Sequence, residues 1–541
     1  MDSLALRKAR SLFRRYWASS LFVLLGLGLW GWVSWEAGYV RMVTWEGGAD
    51  YWEHSATLHA LIENPWHPRH PHLATDAGSP RFGPQFLLVA LIARAMQWDA
   101  IQAMTLASVL NILLFVCGIR AFFSSYFRHR LAPLYGLLVM FGGWWAGWHF
   151  SNVYALHVLF FVSAFPSTTA LGLTLLGFAH VVRLLRAEVR RPWLSLLVLG
   201  LWAAAVLIIH PLTAMLSLTG ALLLALAEPA VSWRRRLQVA GAVVIGCASA
   251  HFWPYFSPWL VLRGGHGEAA DWAEQSVQQA ADLHVKTKLH DFYRPLPLLK
   301  ALGLGAITLL ALPYFFLRRR RWFVGLGALS MLLPFLGNAF VELPLGHRFV
   351  LLAIVYLHIG LVWLLLKLTP GHAGAFRFLR RRVLGLVSAL IVTATLLVFC
   401  AHSVQLAQKA LDAPRYRGES PIVRTMRELA VVAGPGAVVL ATPAASWPVP
   451  TFGPKVLVLF HLDPLVPDAR ERANRVRRFL QPGASDAERF EILTRYGVSH
   501  ILVQRETGPL AQFLAKNCTV RRIGSGYNLY TLSPRTSSVA P

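Results

Sequence analysis

Asp50, Glu53, His54 and Thr57 recur at i, i+3, i+4 and i+7, which sets two carboxylates, an imidazole and a hydroxyl on one face of a helix over 50–62. A carboxylate so placed can take the proton of an attacking hydroxyl as general base, or can ligate a metal, with the imidazole as a second proton-handling group. Gly47-Gly48 supplies a turn just ahead, so Asp50 is expected near the helix N-terminus, where the dipole favours an anion. A plain helix cap is the alternative use of the same side chain. The opposite side, with Tyr51, Trp52, Leu58 and Ile62, is expected to lie on a membrane. Further polar groups interrupt long apolar runs: His149, Asn152, Ser167 to Thr169, His210, His251, Asn338, Glu342 and the pair His347-Arg348. They are expected at one depth, lining an outward-opening cavity in which Arg348 is a candidate anion ligand. A snorkelling Arg348 and a simple turn at His210-Pro211 are the structural alternatives. His67, His70 and His72 alternate with prolines, and no second ligand pair at zinc spacing accompanies them.

The elements that position these groups follow from composition. In 541 residues, 55% hydrophobic and 14% charged with mean hydropathy +0.49, a soluble enzyme is excluded. The net charge of +26 sits in short basic clusters between apolar runs, which cytoplasmic loops explain without a nucleic-acid partner. Cys117, Cys247 and Cys400 lie inside apolar runs and Cys518 stands alone, so no disulfide framework is available. Eleven spans are expected: Leu21 to Trp35, then near 99–124, 131–149, 166–186, 193–209, 211–228, 236–256, 297–317, 322–341, 347–368 and 382–403. With an uncleaved first span and its N-terminus inside, Arg128/Arg130, Arg183 to Arg191, Arg234 to Arg236, Arg318 to Arg321 and Arg377 to Arg382 all fall on the cytoplasmic side. The connections 36–98 and 257–296 are then outside, and the short apolar stretches Gln85 to Met96 and Tyr154 to Phe165 read as interfacial or re-entrant helices. No pair of Gly/Pro-broken spans stands in corresponding positions, as many transporters show.

The sequence divides into a membrane domain over 1–412, with the first outer loop at 36–98, and an extracytoplasmic α/β domain over 413–541. Strands are expected at Ala437 to Ala441, Lys455 to Phe460, Ser499 to Gln504 and Asn528 to Leu532. Ser420-Pro421 and the capping box Ser485-Asp486-Ala487-Glu488 open helices between them. Pro534 to Pro541 reads as a disordered end. There is no phosphate-binding glycine loop, His-Glu-x-x-His, Gly-x-Ser-x-Gly or Cys-x-x-Cys, which removes the marks of nucleotide-dependent, protease, esterase and redox chemistry.

In this organisation the chain resembles the GT-C superfamily of glycosyltransferases. The likeness is carried by an acid near the start of a long first outer loop, Ala49-Asp50-Tyr51-Trp52-Glu53-His54, by two membrane-parallel helices there, by roughly eleven spans and by an outer C-terminal domain. The tail elements Phe452-Gly453, His461-Leu462-Asp463-Pro464 and Arg495-Tyr496-Gly497-Val498-Ser499-His500-Ile501-Leu502-Val503 resemble those of a bacterial group within it. The resemblance implies a polyprenyl-phosphate-linked sugar donor, a glycan, lipid or protein acceptor, and action on the outer face of a bacterial inner membrane. It makes Asp50 the catalytic base or a ligand of a divalent metal such as Mg or Mn, and gives the leaving polyprenyl phosphate to Arg348, with Arg81 or Arg294 as further candidates. Many members carry paired acids, whereas here tyrosine follows Asp50 and Glu53 is the next acid. A flippase or transporter of a lipid-linked or anionic substrate, and a non-catalytic envelope scaffold, would use the same fold.

Overall fold

The computed structural model describes residues 2–37, 48–264, 293–368, 394–409 and 419–533, less 146, 149–150, 342, 344–345, 395–396, 399, 460–462, 505–507 and 525. Gly47, His149, Glu342, His461-Leu462, Pro534 to Pro541 and most of the expected 382–403 span lie outside the described residues.

Apolar runs bounded by proline or basic residues form long helices. Among the described residues five are long and apolar enough to cross a membrane: Tyr16–Ala37, Ala100–Phe127, Pro166–Leu185, Pro192–Ile209 and Gly346–Leu368. The chain is a multi-pass membrane protein. Pro211–Ala227, Trp233–Ser249 and Trp322–Gly337 are helices of 17, 17 and 16 residues at three further expected positions. Proline stands in the first turn of the helices opening at 166, 192 and 211, where its missing N–H costs no bond.

Two expected spans are not continuous. Among the described residues the 131–149 run is helical over Ala132–Gly142, and the 297–317 run is three short helices, Pro295–Ala301, Gly305–Leu310 and Leu312–Phe316. The two breaks satisfy each other. The Leu304 N–H donates to the Gly143 carbonyl at 2.9 Å, and the Trp148 indole donates to the Ala301 carbonyl at 2.6 Å. Gly303 takes φ +56°, and a Cβ there would meet the Gly143 oxygen at 2.4 Å. The backbone groups freed at the two breaks are bonded as a low-dielectric setting demands.

Contacts divide the chain into two compact units: Met1–Ala37, Ser108–Ala250 and Val285–Pro414 in one, Gly38–Ala107, His251–His284 and Arg415–Pro541 in the other. In the helical unit, small residues let backbones approach. A Cβ on Gly246 would stand 2.1 Å from the Gly200 oxygen, so the Pro192–Ile209 and Trp233–Ser249 helices touch main chain to main chain. Polar side chains are bonded inside it: Thr169 donates to Asn111 Oδ1 at 2.6 Å, and Asn111 Nδ2 to the Ser163 carbonyl at 2.9 Å.

The second unit is built on a five-stranded sheet, with β1 (Val438–Ala441), β2 (Lys455–Val456), β3 (Val498–Val503), β4 (Cys518–Ile523) and β5 (Tyr527–Leu532) in the order β2-β1-β3-β5-β4. The first three are parallel, and β5 and β4 run antiparallel. β2 is shorter than expected and β4 was not anticipated. Leu440, Ile501, Phe479, Ile492 and Phe513 fill one core, and Val439, Leu502, Leu529, Met426 and Leu429 the other. The first loop belongs to this sheet. Leu73 bridges in parallel to Val456, whose N–H donates to the His72 carbonyl at 2.9 Å.

Candidate active site

The helix Gly48–Glu63 carries Asp50 in its first turn, half-buried, with the helix dipole favouring its charge. One turn on, Glu53 is 1% exposed. Arg81 Nη2 donates to its Oε2 at 2.5 Å and Trp447 Nε1 to its Oε1 at 3.1 Å. The Glu53 carbonyl accepts from the Thr57 hydroxyl at 2.8 Å and from His72 Nε2 at 3.1 Å. His54 is half-buried, its ring 5.3 Å from that of Phe86 on the helix Pro84–Ala95.

Three expectations are corrected by this packing. Glu53 is not a second open acid beside Asp50, because a buried carboxylate needs compensating donors and here has a guanidinium and an indole. Arg81 is correspondingly engaged by Glu53 rather than held for a substrate phosphate. Nor does the apolar side of the helix rest on lipid: Tyr51, Trp52 and Leu58 are buried in protein. Trp52 packs on Phe452 with ring centroids 6.2 Å apart, and Ser55 shares a 2.7 Å hydrogen bond with Thr451.

The proline and histidine segment is a brace. His70 Nδ1 accepts the His72 and Leu73 N–H groups at 3.2 and 2.9 Å, so its Nε2 carries the proton and donates to Asp463 at 3.3 Å. Ser79 donates to the same Asp463 oxygen at 2.9 Å. Burial holds both imidazoles below their ordinary range, His72 well below it. Lys455 donates to the His70 and Pro71 carbonyls, and burial draws its ammonium down to about 8. Asp463 stands in the tail motif His461-Leu462-Asp463-Pro464, and Trp447 carries no signal in the sequence. Both partner groups nearly 400 positions away, a separation at which no sequence spacing speaks.

His251 lies in the same unit, exposed, with Nδ1 2.8 Å from the Ser257 hydroxyl, in a segment tied to the loop by Trp253 Nε1 donating to the Phe82 carbonyl at 2.7 Å. His210, His347, Arg348 and Arg294 belong to the helical unit. Within it the Arg348 charge acts on both His210 and His347. His210 also caps its helix, its Nδ1 accepting the Thr213 N–H at 3.1 Å, as the turn alternative requires. Arg294 is exposed at the cap of Pro295–Ala301.

For a divalent metal the donor set does not fit. Among the described residues no three His, Cys, Asp or Glu side chains are placed to hold an ion, and both Glu53 oxygens already face hydrogen-bond donors.

No protein-family model matches the sequence, and no curated protein matches it. Solved structures do. Arabinofuranosyltransferase AftD from Mycobacteria superposes with a TM-score of 0.53 at 15% identity, covering 90% of this chain and 40% of that one. This chain has the GT-C fold. It spans about two fifths of the arabinofuranosyltransferase's length. The Archaeoglobus fulgidus oligosaccharyltransferase superposes at 0.48 with 13% identity, covering 97% of this chain and 75% of that chain.

Proposed function

We propose that the chain is an inverting membrane glycosyltransferase that moves a sugar from a polyprenyl-phosphate-linked donor to a cell-envelope acceptor at the outer face of a bacterial inner membrane. In this reading eleven spans, a membrane part over 1–412 and an outer part over 413–541 place the N-terminus in the cytoplasm. The observation that carries the proposal is Asp50: an acid in the first turn of a helix that Glu53, Arg81 and Trp447 lock in place, on a GT-C fold.

The chemistry needs one positioned base. The acceptor hydroxyl loses its proton to the Asp50 carboxylate as its oxygen attacks the anomeric carbon. The bond from that carbon to the phosphate oxygen breaks on the opposite side, and polyprenyl phosphate leaves with the electron pair, through oxocarbenium-like charge as in glycoside hydrolysis. His54, at half-burial on the same helix, is assigned proton handling beside Asp50. Arg348, with His347 and His210, is assigned the anionic end of the donor, and Arg294 and His251 more peripheral contacts with it. The Glu53–Arg81 pair positions the helix and touches no substrate. A buried isoprenoid tail explains why a sugar-handling protein is so apolar.

An Asp50→Asn variant tests the reading in cells. The expected outcome is loss of the envelope glycan by at least about 100-fold with membrane levels of the protein unchanged. A carrier or scaffold would keep its glycan output, and that result overturns the proposal.

A further inference from the structure

Five arginines converge on a cavity of about 680 Å3 in the helical unit, where the helices ending at Phe127, Leu185 and Ala227 meet the turn before Trp233. Arg128, Arg186, Arg234, Arg235 and Arg320 line it, and Glu228 is the one acid among the lining residues. Helix ends attract cations, because their last carbonyls are unbonded, and part of this cluster answers that need. Arg186 donates to the Ser125 carbonyl at 2.5 Å, Arg320 to Tyr126 at 2.7 Å and Arg235 to Leu184 at 3.2 Å. Each such bond uses one or two of a guanidinium's five N–H groups.

The charge is not balanced locally. Arg186 pairs with Glu228 at 3.3 Å and Arg128 with Glu188, whereas among the described residues Arg234, Arg235 and Arg320 have no carboxylate partner. The Arg320 Nε is buried and has no hydrogen-bond partner, and the Arg186 side chain is only 9% exposed. Helix capping alone does not require a hollow. A roomy cavity that keeps three uncompensated guanidiniums is the arrangement that phosphate oxygens complete, each accepting from a planar donor fork.

We infer that this cavity binds a phosphate group, presented by an anionic phospholipid of the surrounding leaflet. Its position at the ends of apolar helices puts a lipid headgroup within reach, and basic pockets between membrane helices hold such headgroups. The inference concerns a site separate from Asp50 and stands or falls independently of the transfer reaction.

The test uses the full chain in nanodiscs of phosphatidylcholine, of phosphatidylglycerol, and of phosphatidylcholine with added inorganic pyrophosphate, read by thermal unfolding midpoint. The expected result is a higher midpoint in phosphatidylglycerol than in phosphatidylcholine alone. Arg128→Gln combined with Arg234→Gln, both exposed positions, should weaken the lipid's apparent affinity roughly tenfold or more. Glu228→Gln, which removes the lining acid, should strengthen it severalfold, a gain that misfolding cannot mimic. If pyrophosphate in phosphatidylcholine reproduces the stabilisation, the phosphate site stands and its source is soluble. Equal midpoints for the wild type in all three settings, or an unchanged response in the arginine variant, overturn it.

Discussion

At position 53 a carboxylate that helical spacing puts beside Asp50 turns inward and is consumed by packing. The i, i+3, i+4, i+7 pattern placed both acids and His54 on a helix, which the structure has at Gly48–Glu63. It did not show that Glu53 is buried while Asp50 is only half-buried, because the Glu53 environment is made by Arg81 and Trp447, neither of which is a helical neighbour. Truncating Arg81→Ala leaves the buried Glu53 carboxylate without its guanidinium. The expected cost is about 3 kcal/mol, at the low end for a broken buried pair because Arg81 is 21% exposed. Glu53→Gln on top of it should recover part of that loss in thermal unfolding of the detergent-solubilised chain. The two buried imidazoles set an acid limit. His70 and His72 titrate below 6.5 in the folded chain, mainly through burial, and near 6.5 when unfolded. Between those values the unfolded chain binds more protons, so stability is complete above about pH 6.5 and falls as pH drops below it. His72→Gln should flatten the acid side of a midpoint-versus-pH curve, and an unchanged slope contradicts the assignment.

Helices were legible where apolar runs were long and began at proline, and illegible where the run hid a break. Nothing in the composition of 297–317 separates it from a span; the break at Gly303 is set by the Gly143 carbonyl and the Trp148 indole, which bond the freed groups. β4 escaped notice for another reason. Its residues Thr519 to Arg522 are exposed on an edge strand, where arginines replace the alternating apolar pattern and guard against edge pairing. The caps, by contrast, act locally and read directly: Ser420 accepts the Val423 N–H, and the Ser485–Glu488 box is complete. Ser485→Ala should cost about 1 kcal/mol and speed hydrogen exchange in Asp486–Arg495. Gly246→Ala forces a Cβ onto the Gly200 backbone and should cost about 1–3 kcal/mol. Gly241→Ala, on the same helix with open space at its Cβ, should cost nothing, and equal effects of the two would refute the close helix contact.

For the whole molecule, charge asymmetry and hydropathy expose the membrane class, while the union of the first loop with the tail in one sheet is a long-range pairing that no segment announces. The proposed topology is checked with single cysteines in a chain freed of its native four. Trp66→Cys, on an exposed loop position, should react with an impermeant thiol reagent in intact cells, and Arg318→Cys only after permeabilisation. The opposite pattern would reverse the orientation. The central claim is tested most directly by reconstituting the chain with radiolabelled polyprenyl-phosphate monosaccharides and an envelope extract as acceptor, and following release of polyprenyl phosphate. The account predicts turnover of one donor by the wild type, and a loss of at least about 100-fold in Asp50→Asn with donor binding retained. Undiminished turnover without the Asp50 carboxylate would contradict it.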